Sequence, residues 1–193
     1  MQTDHVRLLT FPHMNKNTEC DGPRIYVASL SDYNAGRLHG QWIDCDQDVE
    51  DIRQEIAEML AKSTEPVAEE WAIHDYEGFG GLRLGEYEDV DHIAELAQLI
   101  GEHRELITHI VDYCGGLNSL DEARRKMEED YLGEWDSLEE WAEDHLDSCG
   151  ILENVPKEIR NYIDFKKYAE DYELDGGIFT INLNGKVHIF WTY

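Results

Sequence analysis

The chain is poor in bases: 16 Lys and Arg stand against 43 Asp and Glu, a formal charge of −27 over 193 residues. Nucleic-acid binding through phosphate neutralisation needs the opposite balance, so direct nucleic-acid binding is excluded. Attachment to an anionic membrane surface fails for the same reason. Apolar runs are only a few residues long, too short to span a bilayer. Met1 to Thr10 lacks the basic region and apolar stretch of a signal peptide, so a cytoplasmic location is expected. Cysteine is scarce too. Cys20, Cys45, Cys114 and Cys149 lie far apart with no CxxC pair, which reads as reduced thiols rather than disulfides or zinc ligands.

The usual marks of catalysis are also missing. There is no HExxH, GxSxG, Walker loop or dinucleotide glycine fingerprint. Nine histidines are present, but their spacing selects no triad or metal site. His74 and Asp75 fall in an expected strand, where neighbours face opposite ways. His103 and His109 are six apart, wrong for an i,i+4 zinc pair on a helix. The expectation is a protein without catalysis, cofactor or metal.

Against these absences stand 5 Trp, 10 Tyr and 5 Phe, more aromatics than a disordered acidic chain carries. With 41% hydrophobic residues the chain can bury a core, in small modules rather than one globule. The charge is unevenly placed. Residues 1–24 are neutral, 25–90 carry −12, 91–150 carry −13 and 151–193 only −2. The densest stretch, Glu128 to Asp147, holds ten acids in twenty residues and no Lys or Arg. Tyr131, Leu132, Trp135, Leu138, Trp141 and Leu146 are threaded through it, so it folds rather than forming a solvated tail.

Local patterns give an α+β class in two or three small modules. Strands are expected at Arg24 to Leu30, Gly40 to Asp44 and Glu70 to Tyr76, with a loop at Asp32, Asn34 and Gly36. Val49, Ile52, Ile56, Met59 and Leu60 recur at helical spacing. Asp89 caps a helix through Ile100, and a second helix runs from Leu106 to a stop at Gly115-Gly116. Ser119 with Glu122, and Ser137 with Glu140, are capping-box signatures for two more helices, the first running through Met127. Pro156 opens a helical segment reaching Tyr168, and Asn184-Gly185 joins two final strands as a hairpin. The division read from this is 1–23, a flexible or loosely docked extension; 24–90, an α+β domain; 91–132, central helices; and 133–193, an α+β domain.

The helix expected after Ser137 places Glu139, Glu140, Glu143, Asp144 and Asp147 on its outer face and flanks. Its i,i+4 pairs are like-charged, each costing a few tenths of a kcal/mol, where ordinary surfaces mix signs. A chain that accepts this cost is haloadapted or uses the field. Asp44, Asp46 and Asp48 with Glu55 also match part of a calcium-loop ladder, which makes an acidic calcium-binding regulatory protein the alternative reading. Against it, Val49 stands where that loop needs Gly, and a strand precedes it. A large ordered negative surface suits a basic groove, and the commonest large basic grooves bind DNA. At two phosphates per base pair, a local surplus of 25 charges matches about 12 base pairs.

Particular residues add a resemblance. Ile25-Tyr26-Val27-Ala28-Ser29-Leu30 followed by Tyr33-Asn34-x-Gly36-x-Leu38-x-Gly40-x-Trp42 resembles the opening of the ArdA-type antirestriction proteins. Glu70-Trp71-Ala72-Ile73-His74-Asp75-Tyr76-Glu77 is similar to that family's next block. Asn161-Tyr162-Ile163-Asp164-Phe165-x-x-Tyr168, with Asp171 following, is similar to its C-terminal block. Tyr131 to Gly150 resembles the region holding its antirestriction motif. The blocks run in order from about Arg24 to the end.

The resemblance implies an elongated α+β homodimer that mimics bent B-form DNA. It would occupy the DNA groove of the methyltransferase core of type I restriction–modification enzymes and inhibit them. Mobile elements would thereby enter a host unmethylated. The carboxylates expected to face the partner are Asp44, Asp46, Asp48, Glu50, Asp51, Glu55 and Glu58 in the first domain. Glu128, Glu129, Asp130, Glu134, Asp136, Glu139, Glu140, Glu143, Asp144 and Asp147 complete the set. Arg124, Arg125 and Lys126 interrupt this surface, by imperfect mimicry or by serving a dimer interface.

Overall fold

The computed structural model describes residues 22–192. Apart from Gly22 and Pro23, the expected extension and its Cys20 lie outside the described residues. Two three-stranded antiparallel sheets anchor an α+β architecture.

The first sheet has the order β2-β1-β3, from β1 (Arg24–Ser29), β2 (Gly40–Asp44) and β3 (Trp71–Glu77). Alternation sends Ile25 and Val27 of β1, with Ile43 of β2 and Ile73 of β3, into the core. Ile52, Ile56 and Met59 of α2 (Val49–Ala61) join the same core. The glycine in the Leu38-x-Gly40-x-Trp42 pattern has a steric reason. A Cβ on Gly40 would stand 2.3 Å from the Val27 carbonyl oxygen of the paired strand.

The segment at Asp32, Asn34 and Gly36 departs from the expected loop. Leu30–Asn34 is a short helix, α1, whose start is capped by Ser29 Oγ accepting from the Asp32 amide. Asp32 is buried, and its carboxylate accepts from Arg37 and from the Ser63 hydroxyl. That tertiary cluster overrides the turn propensity of Asp32 and Asn34.

Two helices, α3 (Val90–His103) and α4 (Glu105–Cys114), meet at Arg104, which turns the chain at φ 58°. Asp89 caps α3 through the Asp91 amide, and Gly115 at φ 104° ends α4. The first core runs on through these helices into α5 (Leu120–Arg125) by way of Leu96, Ile107, Ile110 and Leu120. Ser119 makes no capping hydrogen bond, so the first capping box is not formed. Its helix gives way to a π-helical turn at Lys126–Asp130 rather than running through Met127.

The second sheet has the order β4-β6-β5, from β4 (Tyr131–Trp135), β5 (Ile178–Leu183) and β6 (Lys186–Trp191). The hairpin turn lies at Asn184-Gly185, with φ of 52° and 79° at its two residues, both in the left-handed region such a turn demands. This sheet is apolar on both faces. Phe179, Ile181, Leu183 and Phe190 pack toward the first core. Ile178, Val187, Ile189 and Trp191 pack with Trp141, Ala142 and Ala169 in a second core. That core also holds Leu138 and Tyr172, from α6 (Leu138–Ser148) and α8 (Phe165–Leu174).

Pro156 does not open one continuous helix. A single turn, α7 (Lys157–Arg160), is followed by a break, and Asp164 then caps α8 through the Lys167 amide at 2.9 Å. Among the described residues, no helix is long and apolar enough to cross a membrane.

Candidate functional site

Of the seventeen carboxylates expected to face a partner, fifteen are exposed. They stand on folded elements or their immediate edges. Asp44 ends β2, and Asp46 and Asp48 lead into α2, which carries Glu50, Asp51 and Glu58 on its outer faces. Glu128 and Glu129 lie on the π-helical turn, Glu134 on β4, Asp136 beside it, and the remaining five on α6.

Two members of the set are corrected. Asp130 is buried, because its carboxylate is paired at 3.2 Å with the equally buried Lys126. Glu55 is half-buried and accepts a 2.9 Å hydrogen bond from Gln47 Nε2. The three interrupting bases are satisfied within the chain. Arg124 pairs with Glu95 at 2.8 Å, Arg125 approaches Glu122 and Glu129 at 3.9 Å, and Lys126 holds Asp130. None of the three leaves an isolated positive charge on the acidic face.

Helix α6 is the densest part of the surface. Ser137 Oγ accepts from the Glu140 amide, while Glu140 Oε2 accepts from the Asp136 amide. The expected capping box therefore forms one residue out of register. Asp144 accepts from Trp135 Nε1 at 3.0 Å, and Asp147 meets Arg160 at 3.5 Å. These contacts hold three of the five carboxylates in place while leaving all five residues exposed. At about 1.5 Å rise per residue, Glu139 to Asp147 spans about 12 Å, or one charge per about 2.4 Å. Duplex DNA carries one per about 1.7 Å of its axis. The two charge densities are comparable.

The inner face of α6 is aromatic. His145 stacks on Trp141 at 5.0 Å and lies 5.7 Å from the Tyr172 ring and 6.0 Å from that of Trp191. Burial among these rings holds its imidazole below the ordinary histidine range. His188 is displaced the same way by burial, against the opposing pull of Glu134, and its Nδ1 lies 2.8 Å from the Tyr131 hydroxyl. A histidine that resists charging in the folded state binds fewer protons there than when unfolded. Its contribution to stability is thus complete above about pH 6.5 and is lost as pH falls toward the depressed value. Melting temperature should accordingly drop between pH 7.5 and 5.5. His145→Phe should flatten that drop by keeping the ring and removing the titration.

His74 lies edge-on to Tyr33 at 4.9 Å, whereas Asp75 Oδ1 accepts from the Tyr76 amide. The two are not partners. No group of three or more His, Cys, Asp or Glu side chains converges as a metal site among the described residues. In the calcium-like stretch, Gln47 bridges the Asp44 carbonyl and the Glu55 carboxylate, the two ends of the supposed ladder. Cys45 is buried and its thiol is pushed up to about 12 by desolvation, as expected of an inert core cysteine. A cavity of about 390 Å³ lies between the Arg104 corner and the second sheet, lined by His103, Arg104, Tyr131, Glu134, Lys186 and His188. No sequence signal pointed to it.

The fold and surface together define an acidic α+β protein whose carboxylates are held in place on folded elements. Residues 25–185 match the family model described as Antirestriction protein (ArdA), and the chain belongs to that family of antirestriction proteins. A search of curated proteins gave no match.

Proposed function

We propose that this chain inhibits type I restriction–modification enzymes by occupying the DNA groove of their methyltransferase core, with carboxylates in place of phosphates. It acts as a homodimer in the cytoplasm, without catalysis, on behalf of a mobile element entering a host. The observation that carries this reading is the exposure of fifteen of the seventeen named acids on ordered backbone. A tethered acidic tail would offer similar charge, but it would lose conformational entropy on docking. Membership of an antirestriction family gives the same direction independently.

The test is cleavage of unmodified DNA by a type I enzyme with this protein titrated in. Inhibition should be stoichiometric at low salt. It should weaken by an order of magnitude or more between 50 and 300 mM salt, because screening acts on exposed charge pairs. Inhibition that ignores salt would remove phosphate mimicry as the mechanism.

A further inference from the structure

The second sheet meets the central helices through a seam that contains one buried cation. Across it, the rings of Tyr113 on α4 and Phe179 on β5 stack at 4.1 Å, with planes only 4° apart. Phe179 stacks on Phe190 at 4.9 Å, and Phe190 meets Tyr131 at 4.8 Å with the rings tilted by 34°. Lys126 Nζ lies 5.9 Å from the Tyr113 ring centre and 5.5 Å from that of Phe179, while binding Asp130 at 3.2 Å. The two side chains are 7% and 11% exposed.

A buried ion pair is weak evidence for stability, since desolvation consumes most of its Coulomb gain and apolar replacements often do as well. What such a pair adds is direction, because its geometry is narrow where hydrophobic contact is tolerant. Here it closes a π-helical turn, a rare element, and the turn runs straight into β4. One set of exposed acids, on and before α2, belongs to the first core; the other, on α6, belongs to the second. The relative placement of the two sets depends on this seam.

We propose that Lys126 and Asp130, clamped beneath the Tyr113–Phe179 stack, are positioning residues that set the angle between the two acidic surfaces. They thereby determine which DNA-binding groove the protein fits. The inference rests on the phosphate-mimic reading for its partner, although the geometry can be tested without one.

The experiment compares the wild type with the double variant Lys126→Met/Asp130→Leu. The variant should fold with a melting temperature equal to or above that of the wild type. It should bind a purified type I methyltransferase at least 10-fold more weakly. Its slope of log affinity against log salt should also be shallower, because the two acid sets no longer engage together. A purely structural role would move melting temperature and leave that slope alone. The single variant Lys126→Arg, which keeps the charge opposite Asp130, should retain most of the wild-type affinity and its salt slope. Wild-type affinity and slope in a folded double variant would overturn the proposal.

If the double variant fails to fold, Phe179→Leu loosens the same clamp without touching charge, and the same shallower slope is expected of it. If the wild type itself shows no salt-dependent binding, the phosphate-mimic reading fails and the geometry is read directly. Spin labels on p-acetylphenylalanine at Glu58 and Glu143 should give a broader distance distribution in the double variant. An unchanged distribution would overturn the proposal on that arm.

Discussion

Replacing Glu139, Glu140, Glu143, Asp144 and Asp147 together by their amides should cost inhibition roughly 10²- to several 10³-fold while leaving the fold intact. If each exposed charge–charge contact contributes about 0.5–1 kcal/mol, five of them amount to roughly 2.5–5 kcal/mol of binding. Single substitutions should fall below a tenfold effect, because the contacts are many and individually screened. The helix itself should barely notice. Three like-charged i,i+4 pairs are relieved, worth about 0.2–0.5 kcal/mol each. Against this, Glu139 and Glu140 in the first turn lose a favourable interaction with the helix dipole, about 0.3–1 kcal/mol each. Amide oxygens can still accept from Trp135 Nε1 and the Asp136 amide. The check is inhibition of DNA cleavage at fixed salt, alongside thermal melting. Undiminished inhibition by the quintuple variant would remove α6 from the contact.

That prediction depends on a part of the molecule that was largely legible in sequence. The α6 stripe of Trp141, Ala142 and Leu146 is a local pattern, and burial of these three residues places the acids outside. The second hairpin was legible for the same reason, since Asn184-Gly185 specifies its turn without help from distant residues. Failures cluster where distant contacts decide. Tyr131–Trp135 contains Gly133 and an acid and shows no alternation, yet it is a strand because β6 pairs with it across an irregular register at Tyr131/Gly133. Leu30–Asn34 is helical because its Asp32 is tied to Ser63 and Arg37.

Ser119 and Ser137 show the limit from another side. Both stand three residues before a Glu, but only Ser137 caps, since Ser119 is the last residue of a 3₁₀ turn, Leu117–Ser119, with φ −122° and ψ 27°. Asp130 was the one acid whose exposure failed outright. Its partner is four residues earlier on what would be an ordinary helix, and the depth of that pair comes from the aromatic seam, which no local pattern reveals.

Trp141→Ala should be the most destabilising single change in the C-terminal part of the chain, at about 3–5 kcal/mol. Trp141 is 2% exposed and packs with Ala142, Ala169, Ile178 and Ile189. All four of those neighbours are small or β-branched, so they cannot swing side chains into the space an indole leaves. The loss also removes the stack on His145 and the edge contact with Tyr172 at 5.7 Å. This second core is much smaller than the first, which is fed by α2, α3, α4 and α5. Damage should therefore appear first as opening of α6 and α8. Hydrogen exchange would show it, with protection falling in Leu138–Ser148 and Phe165–Leu174 while β1, β2 and α3 stay protected. Inhibition should fall too, even though every carboxylate remains, because charges on a melted α6 no longer hold a phosphate-like spacing. Full inhibition from a variant with α6 unfolded would show that charge count alone suffices, and that ordered placement of the acids is not what the partner recognises.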